Sequence, residues 1–293
     1  MQVKTINKII KKKMNAWTES LPEKLRKEVR DNTLVSGGCI ASLFLQEPIN
    51  DFDVYIMDID VLLKLADHYA RAKNVKVLDG RKRESYVKDL DYIDGETNLS
   101  LDVLRLKSLK DDQIKLDIPS EGYAYKLSEK QEKEKDKFRP VFFSQNAISL
   151  TDDLQIVLRF SGIAEEIHKN FDFIHATNYW TYKDGLVMNE RALTSLLTRQ
   201  LSYQGSLYPL TSIIRMKKFI LRKWQINAGE ILKIMFQISL LDLQNPIVLE
   251  EQLIGVDIAY FGMLIEYLNN SSESEWSSEF MNKAIDKVFN EYE

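Results

Sequence analysis

The sequence predicts an α+β protein: a mixed sheet with flanking helices, followed by an all-helical C-terminal domain. Up to about residue 190, short apolar runs typical of strands alternate with amphipathic helical segments. From Asn189 onwards the apolar period is that of helices, which we expect at 189–203, 209–225, 228–243, about 247–268 and 277–291. This change of period predicts two domains, residues 1–190 and 191–293.

The first domain is expected to open with two helices and to continue as strands with short helices between them. The predicted helices are 3–14, 22–30, 58–72 and the short link 165–170. The predicted strands are the two of the opening unit 33–57, followed by 74–78, 84–88, 98–106, 154–160 and 171–177. Ordered structure is expected to resume at 141–143, and a buried helix is the alternative for 154–160. Residues 107–139 are the most polar stretch, which we interpret as a solvated helix or loop, with a flap over a bound substrate as the alternative.

Composition and charge exclude several classes of protein. The net charge of −4 argues against a generic binder of polyanions, so any contact with nucleic acid must use local basic patches. The single cysteine, Cys39, excludes an internal disulfide framework and agrees with a reducing cytosol. No apolar run approaches the length that spans a membrane, and the three histidines lack a zinc-ligand pattern. We therefore expect a cytoplasmic protein without a membrane partner.

One stretch of the first domain carries most of the chemistry. An apolar strand ending at Ser36 runs into Gly37 and Gly38, a short helix follows, and the next strand begins with Asp51 and Asp53. Because side chains alternate along a strand, both carboxylates point to one side and repel each other unless a cation lies between them. The glycines let the backbone approach an anion, and a helix N-terminus favours phosphate. We interpret this stretch as a phosphate cradle that faces a metal pair; an ordinary tight turn beside a surface strand is the alternative.

A third carboxylate would complete a two-metal site, in which two ions stabilise the attacking and the leaving oxygen of a displacement. Asp172 is the favoured candidate because it lies in an otherwise apolar predicted strand, where a charge without a partner is costly. Asp102 has a similar setting and remains the alternative. His175 is expected on the opposite face of the same strand as Asp172, as a core histidine.

Gly37-Gly38, the short helix, Asp51-x-Asp53 and the acid in Phe-Asp-Phe-Ile-His-Ala-Thr around Asp172 resemble the polymerase-β-like nucleotidyltransferase superfamily. The nearest likeness is to the head domain of poly(A) polymerases and tRNA CCA-adding enzymes. The chain is also similar to nucleotidyltransferase-like proteins of large tailed bacteriophages, which would place it in a host cytoplasm. The resemblance implies the family's mixed sheet, an NTP such as ATP as substrate, and two Mg²⁺ ions, or Mn²⁺ instead, held by the three acids.

The predicted helix 209–225 agrees only in part with this resemblance. It carries Arg215, Lys218 and Arg222 at i, i+3 and i+7, which indicates either a wall facing phosphates or a basic surface helix. In one class of CCA-adding enzymes the nucleotide-reading helix has two acids, two further residues and an arginine. Here Thr211 and Ser212 replace the acids and Arg215 is kept. This departure argues against addition of CCA in particular, and less against metal-dependent nucleotidyl transfer.

The sequence therefore predicts transfer of a nucleoside monophosphate from an NTP to an acceptor hydroxyl, with release of pyrophosphate. We expect the NTP to contact Ser36, Gly37, Gly38, Arg215 and Lys218. The expected acceptor is an RNA 3′ end, with tRNA the first candidate. The alternatives are a protein hydroxyl, as in toxin-like members of the superfamily, and a non-catalytic protein of the same fold that binds RNA or a partner protein.

Overall fold

The computed structural model describes residues 1–71, 75–86, 109–118 and 137–243, together with positions 248, 249, 252, 279, 282, 283 and 286. The predicted strand 98–106 lies outside the described residues, as does most of the polar stretch 107–139. The two helices predicted beyond residue 247 also lie outside them, apart from those single positions.

The described elements follow the predicted order as far as residue 71. Four strands, at 114–117, 147–150, 179–181 and 185–187, are not among those predicted, and the first of them lies in the polar stretch interpreted as a solvated helix or loop. The helices are α1 (Val3–Ser20), α2 (Glu23–Asn32), α3 (Gly38–Leu45), α4 (Ile59–Arg71), α5 (Ala164–His168), α6 (Glu190–Thr198), α7 (Pro209–Leu221) and α8 (Ala228–Ser239). The strands are β1 (Thr33–Ser36), β2 (Phe52–Ile56), β3 (Lys76–Asp79), β4 (Ile114–Asp117), β5 (Pro140–Ser144), β6 (Ala147–Leu150), β7 (Leu154–Val157), β8 (Tyr179–Thr181) and β9 (Gly185–Val187).

Seven of these strands form one mixed sheet in the order β5-β6-β7-β2-β1-β8-β9, and β3 and β4 form a separate antiparallel pair. Strands β2 and β7 run parallel, and the other neighbours in the large sheet run antiparallel. The predicted α+β class with a mixed sheet is therefore confirmed. Within the described residues, no helix is long and apolar enough to cross a membrane.

Helix α1 packs on the sheet through one apolar stripe. Ile6, Ile10, Met14 and Trp17 are fully buried, at the spacing that puts residues on one helical face. Val3, which the pattern placed on the same face, is 47% exposed because it is the first residue of the helix. The core that α1 covers also includes the inward residues of α4 and of β2.

Helices α6 to α8 follow the sheet, so the described part of the chain after residue 190 has no named strand and the predicted helical C-terminal part is confirmed there. These helices share a core cluster with α3, in which Ala41 and Phe173 pack with Leu196, Trp224 and Ile234. Close contacts therefore join the two parts of the chain. The division at residue 190 into two domains stays a prediction.

The prediction of a strand at 171–177 is wrong. This segment forms a 3₁₀ turn at Ile174–Ala176, and only Phe173 makes an isolated bridge, to Tyr203. The backbone N–H of Thr177 donates to the carbonyl of Ile174, so the chain closes on itself and cannot join the sheet. The expected strand at 84–88 is also wrong where it is described, since residues 83–86 are helical.

The buried stripe of α1 generates a test of whether this helix is part of the folded unit. Replacing Ile10, which has no exposed surface, by alanine removes buried methylene groups and should lower the free energy of unfolding by about 2–5 kcal/mol in chemical denaturation. Its neighbour Lys11 is exposed, so Lys11→Ala should change it by less than about 0.5 kcal/mol. Equal effects of the two substitutions would contradict the packing.

Candidate functional site

The register of the large sheet places Asp53 in the middle of a row of polar residues. Asp53 lies opposite Ser36 on β1 and opposite Gln155 on β7, and Ser36 lies opposite Tyr179 on β8. Residues paired in this way point to the same face of a sheet. Val54, on the other face, packs in the core that α1 covers, so the Asp53 row faces away from that core.

Gly37 brings its backbone against the carboxylate of Asp53. Gly37 has φ +90°, a conformation that residues with a Cβ rarely adopt, and it precedes the first residue of α3. A Cβ added to Gly37 would lie 2.8 Å from Oδ2 of Asp53, whereas one added to Gly38 would meet nothing within 4 Å. The first glycine is therefore required by the position of the aspartate, which explains why the glycine pair and Asp-x-Asp occur together.

Both aspartates of the pair have pKa values above the ordinary range. Burial, followed by the charge of Asp51, raises the pKa of Asp53 to about 7, although the charge of Arg215 lowers it. Burial and the charge of Asp153 raise the pKa of Asp51. Perturbed carboxylates of this kind concentrate at functional sites. The surroundings of these two aspartates therefore do not fully stabilise their negative charge.

Asp153 is an acid that the sequence reasoning missed. It lies in the turn before β7, and its backbone carbonyl accepts the N–H of Phe52 at 2.8 Å. The parallel pairing of β2 with β7 is what brings it beside Asp51. The order of strands in a sheet cannot be read from local periodicity, so no signal in the sequence singled out this residue.

Two of the predicted phosphate-binding groups already have partners within the protein. The Ser36 hydroxyl is buried and lies 2.9 Å from the carbonyl of Asn178 and 2.9 Å from Nε2 of His168. The N–H of Gly37 donates to the carbonyl of Ala176 at 3.1 Å. Ser36 and Gly37 therefore shape the turn, and the first turn of α3, from Gly38, is left as the part of the predicted cradle that can face an anion.

Asp172 lies in a buried position and is paired with Arg215 of α7. Its Oδ2 accepts a hydrogen bond from Nη1 of Arg215 at 2.9 Å, and its Oδ1 accepts the N–H of Phe173 at 3.0 Å. The charge of Arg215 also lowers the pKa of Asp53, so this guanidinium acts on the aspartate pair as well as on Asp172. The sequence named both residues for the site but did not predict that they bind each other.

The three predicted metal ligands do not form one cluster. In the part of the chain that the structure describes, no group of three or more His, Cys, Asp or Glu side chains is close enough to hold a metal ion. Asp51 and Asp53 are neighbours, whereas Asp172 faces Arg215. The assignment of Asp172 as a third ligand stays a prediction, and it requires Arg215 to release the carboxylate. Asp102, the alternative, lies outside the described residues.

The basic stripe of α7 divides into paired and exposed residues. Arg215 binds Asp172 and Arg222 binds Glu47, which follows α3. Lys218, between them on the stripe, is exposed to solvent. Two members of the stripe thus hold α7 against the sheet domain, and Lys218 is its member available to an external anion.

The groups beneath the site are apolar or neutral. Cys39 in the first turn of α3 is buried, and burial together with the charge of Asp53 raises the pKa of its thiol well above the ordinary value. Burial lowers the pKa of His175 to about 4, and its ring packs against Phe219 and Trp224. The burial of His175 confirms that it lies in the core, but it lies in a turn and not on one face of a strand, and its Nδ1 has no hydrogen-bond partner among the described residues.

The strained turn at Gly37 generates a stability test with a matched control. Gly37→Ala forces a Cβ into a left-handed conformation and against Oδ2 of Asp53, so the free energy of unfolding should fall by about 1–3 kcal/mol. Gly38→Ala adds a Cβ to open space at the start of a helix and should have no destabilising effect. Chemical denaturation of both variants checks this, and a larger loss for Gly38→Ala would contradict the geometry.

The raised pKa of Asp53 predicts how stability depends on pH. The folded protein binds the Asp53 proton more tightly than the unfolded chain, so ionising this group lowers stability as pH rises from about 4 towards 7 and above. Asp53→Asn removes that cost and should raise the free energy of unfolding at pH 8 by an amount on the order of 2–4 kcal/mol without metal. The gain should shrink steadily towards pH 4. A gain that is the same at pH 5 and pH 8 would contradict the assignment.

The structural comparisons return CCA-adding enzymes and a tRNA nucleotidyltransferase. A Thermotoga maritima CCA-adding enzyme complexed with tRNA matches with 13% identity and a TM-score of 0.39, over 94% of this chain and 70% of that one. A CCA-adding enzyme with ATP matches with 12% identity and a TM-score of 0.38, over 94% and 47%. A tRNA nucleotidyltransferase with a primer tRNA and an ATP analogue has 14% identity and a TM-score of 0.35, over 88% and 59%.

These solved structures are of the group that the sequence motifs resemble. This chain spans 47% to 70% of their length, and with TM-scores below 0.5 the similarity alone establishes neither activity nor ligands. No curated protein matches. The sequence model of the Gabija anti-defense 2 (Gad2) family matches residues 8–199, which is more than half of the chain and includes β1, α3 and β2. The chain therefore belongs to the Gabija anti-defense 2 family.

Proposed function

We propose that this protein is a metal-dependent nucleotidyltransferase, which transfers a nucleoside monophosphate from an NTP to an acceptor hydroxyl. The observation that carries the proposal is the approach of the Asp53 carboxylate to the backbone of Gly37, with Asp51 beside it and Arg215 acting on it. This arrangement joins paired acids, a helix N-terminus and a cation in one place. Phosphoryl transfer is catalysed by such groups, mainly through positioning and electrostatic stabilisation.

Asp51 and Asp53 fit the ligand set that Mg²⁺ prefers. Magnesium is usually bound by one or two carboxylates together with substrate phosphates, so a group of three protein acids is not required. The raised pKa values of the two aspartates are those of a pair that lacks a neutralising charge. Mg²⁺ or Mn²⁺ held by this pair would supply charge neutralisation at the phosphates and at the attacking oxygen.

Binding of the triphosphate depends on groups of the chain itself. The first turn of α3 offers backbone N–H groups to the triphosphate, and Arg215 and Lys218 supply positive charge from α7. The acceptor oxygen forms a bond to the α-phosphorus as the bond from that phosphorus to the oxygen bridging to the β-phosphate breaks. Pyrophosphate leaves with the electron pair of the broken bond, and the proton of the acceptor hydroxyl is released to solvent.

An RNA 3′ end is the first proposed acceptor, because Lys218 extends the positive charge of the site onto an exposed face of α7. A protein hydroxyl is the second candidate, and the observation that favours it is the family to which the chain belongs. A family named for action against a defence system suggests that its members act on components of that system. Modification of a defence protein would be a direct route to such an effect.

Label transfer from each α-³²P-labelled NTP tests the proposal. Purified protein is incubated with Mg²⁺ or Mn²⁺, and with total RNA or with proteins of the defence system as acceptors. We expect label on one acceptor with the wild-type protein, and a loss of at least about 100-fold with Asp51→Ala/Asp53→Ala, because removing the metal pair removes most of the charge stabilisation. Asp31→Ala, which removes an exposed acid at the end of α2, serves as the control and should keep full activity.

Each outcome of this assay has a definite meaning. Label on RNA supports the first acceptor, and label on protein alone moves the proposal to the second. Transfer that survives the double substitution contradicts the assignment of the aspartate pair. Absence of transfer to any acceptor with any NTP, from folded protein, contradicts the enzymatic function and favours a binding protein on the same fold.

A further inference from the structure

Asp172 and Arg215 form an ion pair whose two members have different environments. The Asp172 residue is 7% exposed, whereas the Arg215 side chain is 40% exposed. A buried carboxylate is stable only when a cation and hydrogen bonds compensate its charge. Asp172 obtains one hydrogen bond from Arg215 and another from the N–H of Phe173, so both of its oxygens have partners within this chain.

The backbone around Asp172 is fixed by further hydrogen bonds. Its carbonyl accepts the N–H of Gln204 at 2.9 Å, and the 3₁₀ turn that follows it ends at Ala176, whose carbonyl accepts the N–H of Gly37. Asp172 is therefore tied through its own turn to the glycine turn of the site. A side chain on so restrained a backbone is a suitable anchor for a flexible partner.

Arg215 has a flexible side chain, which must be held in place to bind a ligand tightly. An arginine side chain loses about 2 kcal/mol of rotamer entropy when it is fixed, and this loss lowers the affinity for a ligand unless the side chain is already held. The guanidinium has five N–H donors in a rigid fork, and Nη1 is the one that bonds Asp172 at 2.9 Å. The turn that follows Asp172 is hydrogen-bonded to Gly37, whose backbone lies against the carboxylate of Asp53, so Asp172 holds the guanidinium near the aspartate pair.

We propose that Asp172 is a positioning residue that holds Arg215 towards the polyphosphate of the NTP, and that it does not bind metal. This inference rests on the proposed function, because it assigns the polyphosphate of that reaction as the ligand of Arg215. A guanidinium binds phosphate oxygens through charge-assisted hydrogen bonds, which are roughly twice as strong as neutral ones. Loss of the carboxylate that fixes it is therefore expected to lower the affinity for the nucleotide.

If Asp172 were a metal ligand, the carboxylate that now binds Arg215 would have to bind the ion instead. Coordination of an ion by Oδ2 would displace Arg215 from its ion pair with Asp172 and leave two cations competing for one carboxylate. The described residues hold no cluster of three acids that would compensate for this. The two roles therefore predict different effects of Asp172→Asn on metal binding, no change for positioning and a loss for coordination, and these can be measured apart from catalysis.

The test uses the full-length protein and two equilibrium titrations. Mn²⁺ alone is titrated first, and a non-hydrolysable ATP analogue is titrated next in saturating Mn²⁺, with wild type, Asp172→Asn, Arg215→Ala and the double variant. We expect Asp172→Asn to leave Mn²⁺ affinity within about twofold and to weaken the analogue about tenfold, as the loss of one charged hydrogen bond predicts. The double variant should bind the analogue no more weakly than Arg215→Ala alone.

Asp79→Asn is the matched control. Asp79 is 3% exposed and pairs with Arg81, 38% exposed, at 2.8 Å, so this substitution breaks a pair of the same kind away from the site. It should change the thermal unfolding temperature without changing either affinity. A tenfold loss of analogue affinity with Asp79→Asn would show that the effect at Asp172 is one of general stability, and would overturn the proposal.

Two further results would overturn the positioning role. A loss of Mn²⁺ affinity of tenfold or more with Asp172→Asn would make Asp172 a metal ligand. A double variant that binds the analogue tenfold more weakly than Arg215→Ala would show that Asp172 acts independently of the arginine. Failure of the proposed function looks different, since wild-type protein would then bind neither Mn²⁺ nor the analogue, or would bind both and transfer nothing.

Discussion

The candidate site depends on one close approach, between the carboxylate of Asp53 and the backbone of Gly37. Asp53 lies on β2 in the middle of the sheet, and the chain leaves β1 next to it through a turn that only glycine accommodates. Helix α3 therefore begins directly beside a carboxylate that is partly buried. Two neighbouring carboxylates in a partly buried position are energetically costly. The other charged groups of the site can therefore be compared by how far they compensate this negative charge.

In the described part of the chain, the negative charge of the aspartate pair is only partly compensated. Arg215 lowers the pKa of Asp53, but Asp51 and burial raise it further, and Asp153 acts on Asp51 in the same direction. The arginine is also shared with Asp172. One guanidinium is thus shared by two carboxylates, and the remaining negative charge makes the site suited to a divalent cation that arrives with a polyphosphate. A protein that kept these acids only for packing would be more stable with neutral residues in their place.

The local parts of this site could be predicted from the sequence. The glycine pair, the helix after it and the alternation of Asp51 and Asp53 are features of short stretches, and the periodicity of α1, α4 and α7 follows the same local rules. The sequence also named Arg215 and Asp172. What it could not give was their pairing, because a contact across 43 residues depends on how α7 packs against the sheet.

The errors have the same origin. Residues 171–177 have the composition of a strand, yet the segment turns because its hydrogen bonds go to its own residues, to Gly37 and to the chain near Tyr203. Asp153 escaped notice because only the parallel pairing of β7 with β2 brings it beside Asp51. Local propensity indicates which groups are available for chemistry, and tertiary packing decides which of them meet.

The central claim is that Asp51 and Asp53 hold the metal ion that accompanies an NTP at the start of α3. Diffraction from crystals grown with Mn²⁺ and a non-hydrolysable ATP analogue, recorded at the manganese absorption edge, tests this claim most directly. The account predicts an anomalous peak within coordination distance of both carboxylates, with the triphosphate at the first turn of α3 and the Asp172–Arg215 pair intact. Ordered analogue and manganese bound elsewhere, with both aspartates free of metal, would contradict it.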